Sequence, residues 1–118
     1  FAIIHSLDGY DELSLTGDAR VITNDGEQVM TPEQLGKRRV SPSDIYGGNT
    51  PEESAKIFQR ILQGKGTWAQ NAVVFANAAM ALYCTGAYPD YNKAFEASVE
   101  SLESGKALAA LQQLLALQ

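Results

Sequence analysis

The chain has 118 residues and a formal net charge of −5, with 9 Lys+Arg against 14 Asp+Glu, 45% apolar and 19% charged residues, which describes one globular domain rather than several or a disordered tail. A single cysteine, Cys84, excludes an internal disulfide and a cysteine-built zinc site, and the single histidine, His5, adds little to any metal site. No basic stripe favours nucleic acid or an anionic membrane, and the longest apolar run, Ala78–Tyr83, falls far short of the roughly 20 residues that span a bilayer.

The opening Phe1-Ala2-Ile3-Ile4-His5-Ser6 is a short apolar run that suits a strand buried on both faces. It begins without Met or a charged leader, as a piece of a larger chain or a processed protein would. Leu13-Ser14-Leu15-Thr16 alternates, which predicts a half-buried strand. Val21-Ile22-Thr23 and Glu27-Gln28-Val29-Met30 flank Asn24-Asp25-Gly26, a hairpin signal because these three residues tolerate tight-turn backbone angles. Thr31-Pro32-Glu33-Gln34 predicts a short capped helix stopped by Gly36, followed by a loop over residues 37–49.

Thr50-Pro51-Glu52-Glu53 reads as a capping box opening a helix, with Ala55, Phe58, Ile61 and Leu62 on one face and an end near Gly64-Lys65-Gly66. A second helix spans about Trp68 to Cys84 and is apolar on most sides, so it is expected at the centre. A third spans about Asp90 to Ser104, with Tyr91, Phe95, Val99 and Leu102 on one stripe; Gly105 breaks it. A last helix carries Leu108, Leu111, Leu114 and Leu115, read as core or as an interface to another domain. The chain thus divides into residues 1–50, with strands, hairpin and loop, and residues 51–118, the helical part. Strands first and about four helices after would ordinarily indicate α+β. The short strands leave unpaired edges, however, and the opening strand wants neighbours on both sides, so the pattern reads as a piece of a larger sheet.

The densest candidate for chemistry is His5-Ser6-Leu7-Asp8-Gly9-Tyr10-Asp11-Glu12, with three carboxylates within residues 8–12 just after the first strand. Ligands of open α/β sheets bind at the carboxyl ends of strands, and two hard oxygen ligands completed by water suit Mg²⁺ holding a phosphorylated substrate. On pattern alone such a pair is more often simply solvated, since no metal motif of fixed spacing accompanies it. Asp8 reads as an Asx-turn residue before Gly9, His5 as a packed strand residue, and Asn77 as bonded to neighbouring backbone. Lys37-Arg38-Arg39 reads as a solvated loop, and Cys84 as an inert packed thiol.

Asp8-Gly9-Tyr10-Asp11-Glu12-Leu13-Ser14-Leu15-Thr16-Gly17 resembles the D-G-L-D-E-L-S-L-T-G segment of the anthranilate phosphoribosyltransferase family. Thr31-Pro32-Glu33-Gln34-Leu35-Gly36 resembles that family's P-E-D-F-G turn. The stretch from Gly48 through Glu53-Ser54-Ala55 to Ile61-Leu62-Gln63-Gly64, then Asn77-Ala78-Ala79 and Ser104-Gly105-Lys106-Ala107, resembles its further landmarks in the same order. The resemblance covers essentially the whole chain, with Tyr10 standing where the family usually has Leu. It implies a piece of the family's C-terminal α/β phosphoribosyltransferase domain, the C-terminal third of a cytoplasmic enzyme of tryptophan biosynthesis that joins anthranilate to the ribose of phosphoribosyl diphosphate and expels pyrophosphate. Asp11 and Glu12 are then implied as magnesium ligands, with Glu12 able to bridge two ions; no general base is named.

The family's glycine-rich G-T-G-G-D phosphate loop and its K-H-G-N segment do not occur in these residues, so the piece alone is expected to be inactive. The resemblance further implies a parent homodimer paired through an N-terminal helical domain. Two other readings stay open: a relative of the pyrimidine-nucleoside phosphorylases, against which the Asp11-Glu12 pair argues, and a non-catalytic interaction module built on the helical half.

Overall fold

In the computed structural model, which describes residues 1–118, the opening apolar run forms β1 (Ala2–Ser6). It pairs antiparallel with β2 (Ala19–Thr23), which pairs antiparallel with β3 (Gly26–Met30). The order β1-β2-β3 leaves β1 at an edge with a single neighbour, and the exposure of its alternate residues shows that it is not buried on both faces as expected. With side chains alternating along the strand, Ala2, Ile4 and Ser6 turn inward while Ile3 and His5 are exposed. A sheet covered on one side needs only one apolar face. The predicted hairpin is present. Thr23 pairs with Gly26, leaving Asn24-Asp25 as the connection, and the positive φ of the turn falls on Gly26 alone, at 127°.

Leu13–Thr16 does not form the expected strand. Leu13, Ser14 and Leu15 are buried in succession, and Leu15 takes φ 60°, which breaks the extended alternation. Helix α1 (Pro32–Gly36) carries the predicted capping box: Gln34 N–H donates to Thr31 Oγ1, and Thr31 N–H donates to Gln34 Oε1 at 2.8 Å. Gly36 does not stop the helix by its own backbone angle. The positive φ belongs to Lys37, at 86°, while Gly36 is the last helical residue. A 3₁₀ turn at Pro42–Ile45 interrupts the predicted loop.

Four longer helices follow. In α2 (Pro51–Leu62), Thr50 caps the start, but Glu53 Oε2 accepts from Asn49 N–H at 2.7 Å, so the expected box is only half made. Of the predicted apolar face only Ile61 is buried; Ala55 and Phe58 are exposed because no element covers them. Helix α3 (Trp68–Cys84) has the predicted bounds and the predicted central place, touching α1, β1, the 3₁₀ turn and α4 (Tyr91–Glu103). Its buried line is mostly small: Ala69, Ala72, Ala76, Ala79 and Met80. Small residues on α4 (Ala94, Ser98) let the two backbones approach closely, and Ser98 Oγ donates to Phe75 O at 3.2 Å. Tyr91, Phe95 and Phe75 line the same junction, with an edge-to-face pair at 6.0 Å. Helix α5 (Lys106–Leu115) buries no residue, so its leucines are not core. The core itself gathers Leu13, Leu15, Ala19, Val21, Leu35 and Val40 over the alanine line of α3.

Candidate metal-binding loop

The candidate carboxylates lie on the connection between β1 and β2, residues 7–18. Directly after β1 the chain closes a turn: Gly9 N–H donates to Ser6 O, and Ser6 N–H donates to Tyr10 O, both at 3.2 Å. Gly9 holds φ 99°, a conformation that side chains rarely adopt. The chain then bends at Asp11 and Glu12, both exposed, and plunges into the core at Leu13, which is fully buried.

The backbone after Glu12 is satisfied by side chains instead of by a strand. Ser6 Oγ donates to Glu12 O at 2.6 Å, and Ser14 N–H points at the same oxygen atom of Ser6 at 3.4 Å. Asn77, on α3, grips Leu13 from both sides. Its Oδ1 accepts from Leu13 N–H at 3.0 Å and its Nδ2 donates to Leu13 O at 2.8 Å. That amide also donates to Val73 O at 2.9 Å within its own helix. Four successive backbone polar groups therefore find partners in two side chains, which is why no sheet ladder is needed here.

Asp8 is not an Asx-turn residue. Its carboxylate accepts from Ser14 Oγ at 3.4 Å and from Thr16 Oγ1, which ties the first arm of the loop to the second. Gly17 has room for this carboxylate only because it lacks a Cβ, which would come within 2.8 Å of it. Arg39 closes the far side, donating to Thr16 O at 2.9 Å and to Asp18 Oδ1 at 3.0 Å. Arg38 stacks on the Trp68 ring at 3.7 Å. The Lys37–Arg39 stretch is exposed as expected, yet both arginines are engaged rather than freely solvated. His5 and Cys84 are exposed, so neither is the packed side chain expected: His5 lies with Ile3 on the uncovered face of β1, and Cys84 is the last residue of α3, at its exposed end.

Asp11 and Glu12 thus sit side by side at the rim, and neither is drawn into an ion pair. No three His, Cys, Asp or Glu side chains converge to hold a metal by themselves. The donor set fits Mg²⁺ all the same, because that ion is usually held by one or two carboxylates, with water and substrate phosphate oxygens completing the octahedron. Sequence reasoning singled out the carboxylates and placed Asn77 on backbone partners, but it missed the grip on Leu13 and the part of Ser6. The available signal was a serine ending an apolar run immediately before an acidic loop.

Comparison with known proteins identifies the family of the chain. Residues 1–108 match the model of the glycosyl transferase family, a/b domain. The chain is 54% identical over 114 residues to an anthranilate phosphoribosyltransferase of Flavobacterium johnsoniae, which covers 97% of the chain and 34% of that relative. It is 45% identical over 117 residues to that of Bacteroides thetaiotaomicron, covering 99% of the chain and 35% of the relative. Among solved structures, anthranilate phosphoribosyltransferase from Thermus thermophilus superposes with a TM-score of 0.87 at 31% identity, over 98% of this chain and 34% of that one. The chain spans about a third of the length of the relatives it matches. No helix is long and apolar enough to cross a membrane. With nearly all of its residues inside the family match and its α/β fold shared with the Thermus enzyme, the chain belongs to the glycosyl transferase family, as an a/b domain of it.

Proposed function

We propose that the chain is the C-terminal part of an anthranilate phosphoribosyltransferase and that its β1–β2 loop serves the transfer of a phosphoribosyl group from phosphoribosyl diphosphate to the amine of anthranilate. The 54% identity over 114 residues carries this reading. In such a transfer, negative charge builds on the departing pyrophosphate while the sugar carbon turns cationic. Asp11 and Glu12 would hold Mg²⁺, which supplies Lewis-acid neutralisation of that leaving-group charge.

The protein's own part is positioning. The bend after Gly9 presents two carboxylates to solvent from a backbone locked on its core side by Ser6 and Asn77. A preset carboxylate pair loses little conformational freedom when its ligand arrives. The much longer relatives leave room for the donor-binding elements outside the matched third, and these 118 residues hold no glycine-rich phosphate loop. The isolated chain is therefore expected to be without turnover. Incubation of the pure chain with anthranilate, phosphoribosyl diphosphate and Mg²⁺ tests this: anthranilate fluorescence stays constant on this reading, and a steady enzyme-dependent loss contradicts it.

A further inference from the structure

We infer that Asn77 and Ser6 are positioning residues for the cation, holding the peptide that carries Glu12 so that the Asp11-Glu12 pair faces one ion; this rests on the metal-loop reading above. The observation is the completeness of the grip. Glu12 O, Leu13 N–H, Leu13 O and Ser14 N–H are consecutive along the backbone, and each is bonded to Ser6 Oγ or to the Asn77 amide. Leu13 is fully buried and Glu12 is exposed, so the grip sits at the step where the chain leaves the core.

Asn77 is separated from Leu13 by 64 positions and rides on the central helix. Its third bond, to Val73 O, fixes the amide's orientation, so that acceptor and donor face Leu13 in only one sense. Asn is the side chain that does this, because it offers an acceptor and two donors on one short rigid plane. Asp offers the acceptor alone, and Ala offers neither. The Asp8 tether to Thr16 restrains the other arm of the same loop. With both arms of the loop tied, less of its backbone is left to reorganise when the two carboxylates close on an ion.

The test is Mn²⁺ titration of the ¹⁵N-labelled 118-residue chain, followed by paramagnetic broadening of its amide signals, with thermal unfolding measured in parallel. In the wild type, broadening is expected to centre on residues 10–13 and to vanish in the Asp11→Asn/Glu12→Gln double variant. In Asn77→Ala the apparent Mn²⁺ affinity is expected to fall about tenfold or more, the scale of losing a group that orients a metal ligand. Its broadening should also spread beyond the loop. If Asn77→Ala does not fold, Ser6→Ala carries the comparison in the same direction.

A folded Asn77→Ala or Ser6→Ala whose affinity and broadening pattern match the wild type, with only its melting temperature lowered, overturns the positioning role and leaves the metal loop standing. Wild-type broadening that is absent from the loop, or indifferent to the Asp11→Asn/Glu12→Gln change, overturns both.

Discussion

Leu15 packs its side chain into the space that a side chain on Gly36 would occupy. A Cβ built on Gly36 would lie 2.5 Å from Leu15 Cδ1, and both residues are buried. Leu15 holds a left-handed backbone, φ 60°, to reach that position, and its carbonyl accepts from Val40 N–H at 3.0 Å. The segment after the bend at Asp11-Glu12 and the end of α1 are thus fitted to each other. Gly36→Ala overpacks this contact and should destabilise the fold by about 1–3 kcal/mol. Leu15→Ala leaves a cavity and should cost about 2–5 kcal/mol. Urea unfolding of each variant measures both.

A second close approach predicts non-additivity. A Cβ on Gly66 would collide with Asn71 Oδ1, a buried oxygen with no hydrogen-bond partner. Gly66→Ala should therefore destabilise the chain, whereas in an Asn71→Ala background most of that cost should disappear. The coupling energy from a double-mutant cycle in urea is expected at about 0.5–3 kcal/mol. Additive single and double variants would contradict the contact.

Burial pushes the Tyr91 phenol well above its ordinary value, and its hydroxyl donates to Leu35 O at 2.6 Å. The native state therefore keeps this proton at a pH where the unfolded chain, with a phenol pKa of about 10, has lost it. The unfolded state then binds fewer protons, so stability falls as pH rises. The contribution is full below about pH 10 and declines above it. Unfolding free energies measured from about pH 8 to 11, a range that brackets the ordinary phenol value, should show a steeper alkaline decline in the wild type than in Tyr91→Phe. Tyr91→Phe should also lose about 1 kcal/mol near neutral pH from the missing hydrogen bond.

Cys84 is free and exposed at the end of α3. A disulfide exchange reagent should titrate one thiol per chain without denaturant, at a rate little changed when urea is added. A thiol that reacts only after unfolding would contradict its placement.

Much of the fold was legible because local rules and tertiary packing agreed. Thr31 and Gln34 cap α1 as their spacing predicts, and Trp68–Cys84 is one uninterrupted helix because its continuous apolar pattern ends at Thr85-Gly86. Leu13–Thr16 misled because alternation reports which residues could be buried and not what satisfies their backbone; the answer, Asn77, lies on a helix far along the chain. Gly36 reads as a stop in the sequence because a glycine's need for space looks the same there as its tolerance of unusual backbone angles. In the candidate loop, Asp11 and Glu12 stand out in the sequence as an acidic pair, whereas the partners of Asp8 and the grip of Ser6 depend on which side chains the turn brings together.

The most direct measurement replaces the matching third of the Flavobacterium johnsoniae enzyme with these 118 residues and follows pyrophosphate release from phosphoribosyl diphosphate in the presence of anthranilate as Mg²⁺ is varied. The chimera should turn over in a Mg²⁺-dependent manner, and the Asp11→Asn/Glu12→Gln change should lower kcat/KM by about 100-fold or more, the scale of removing transition-state charge stabilisation. A folded, active chimera whose rate and Mg²⁺ requirement are untouched by that double change would contradict the assignment of this loop.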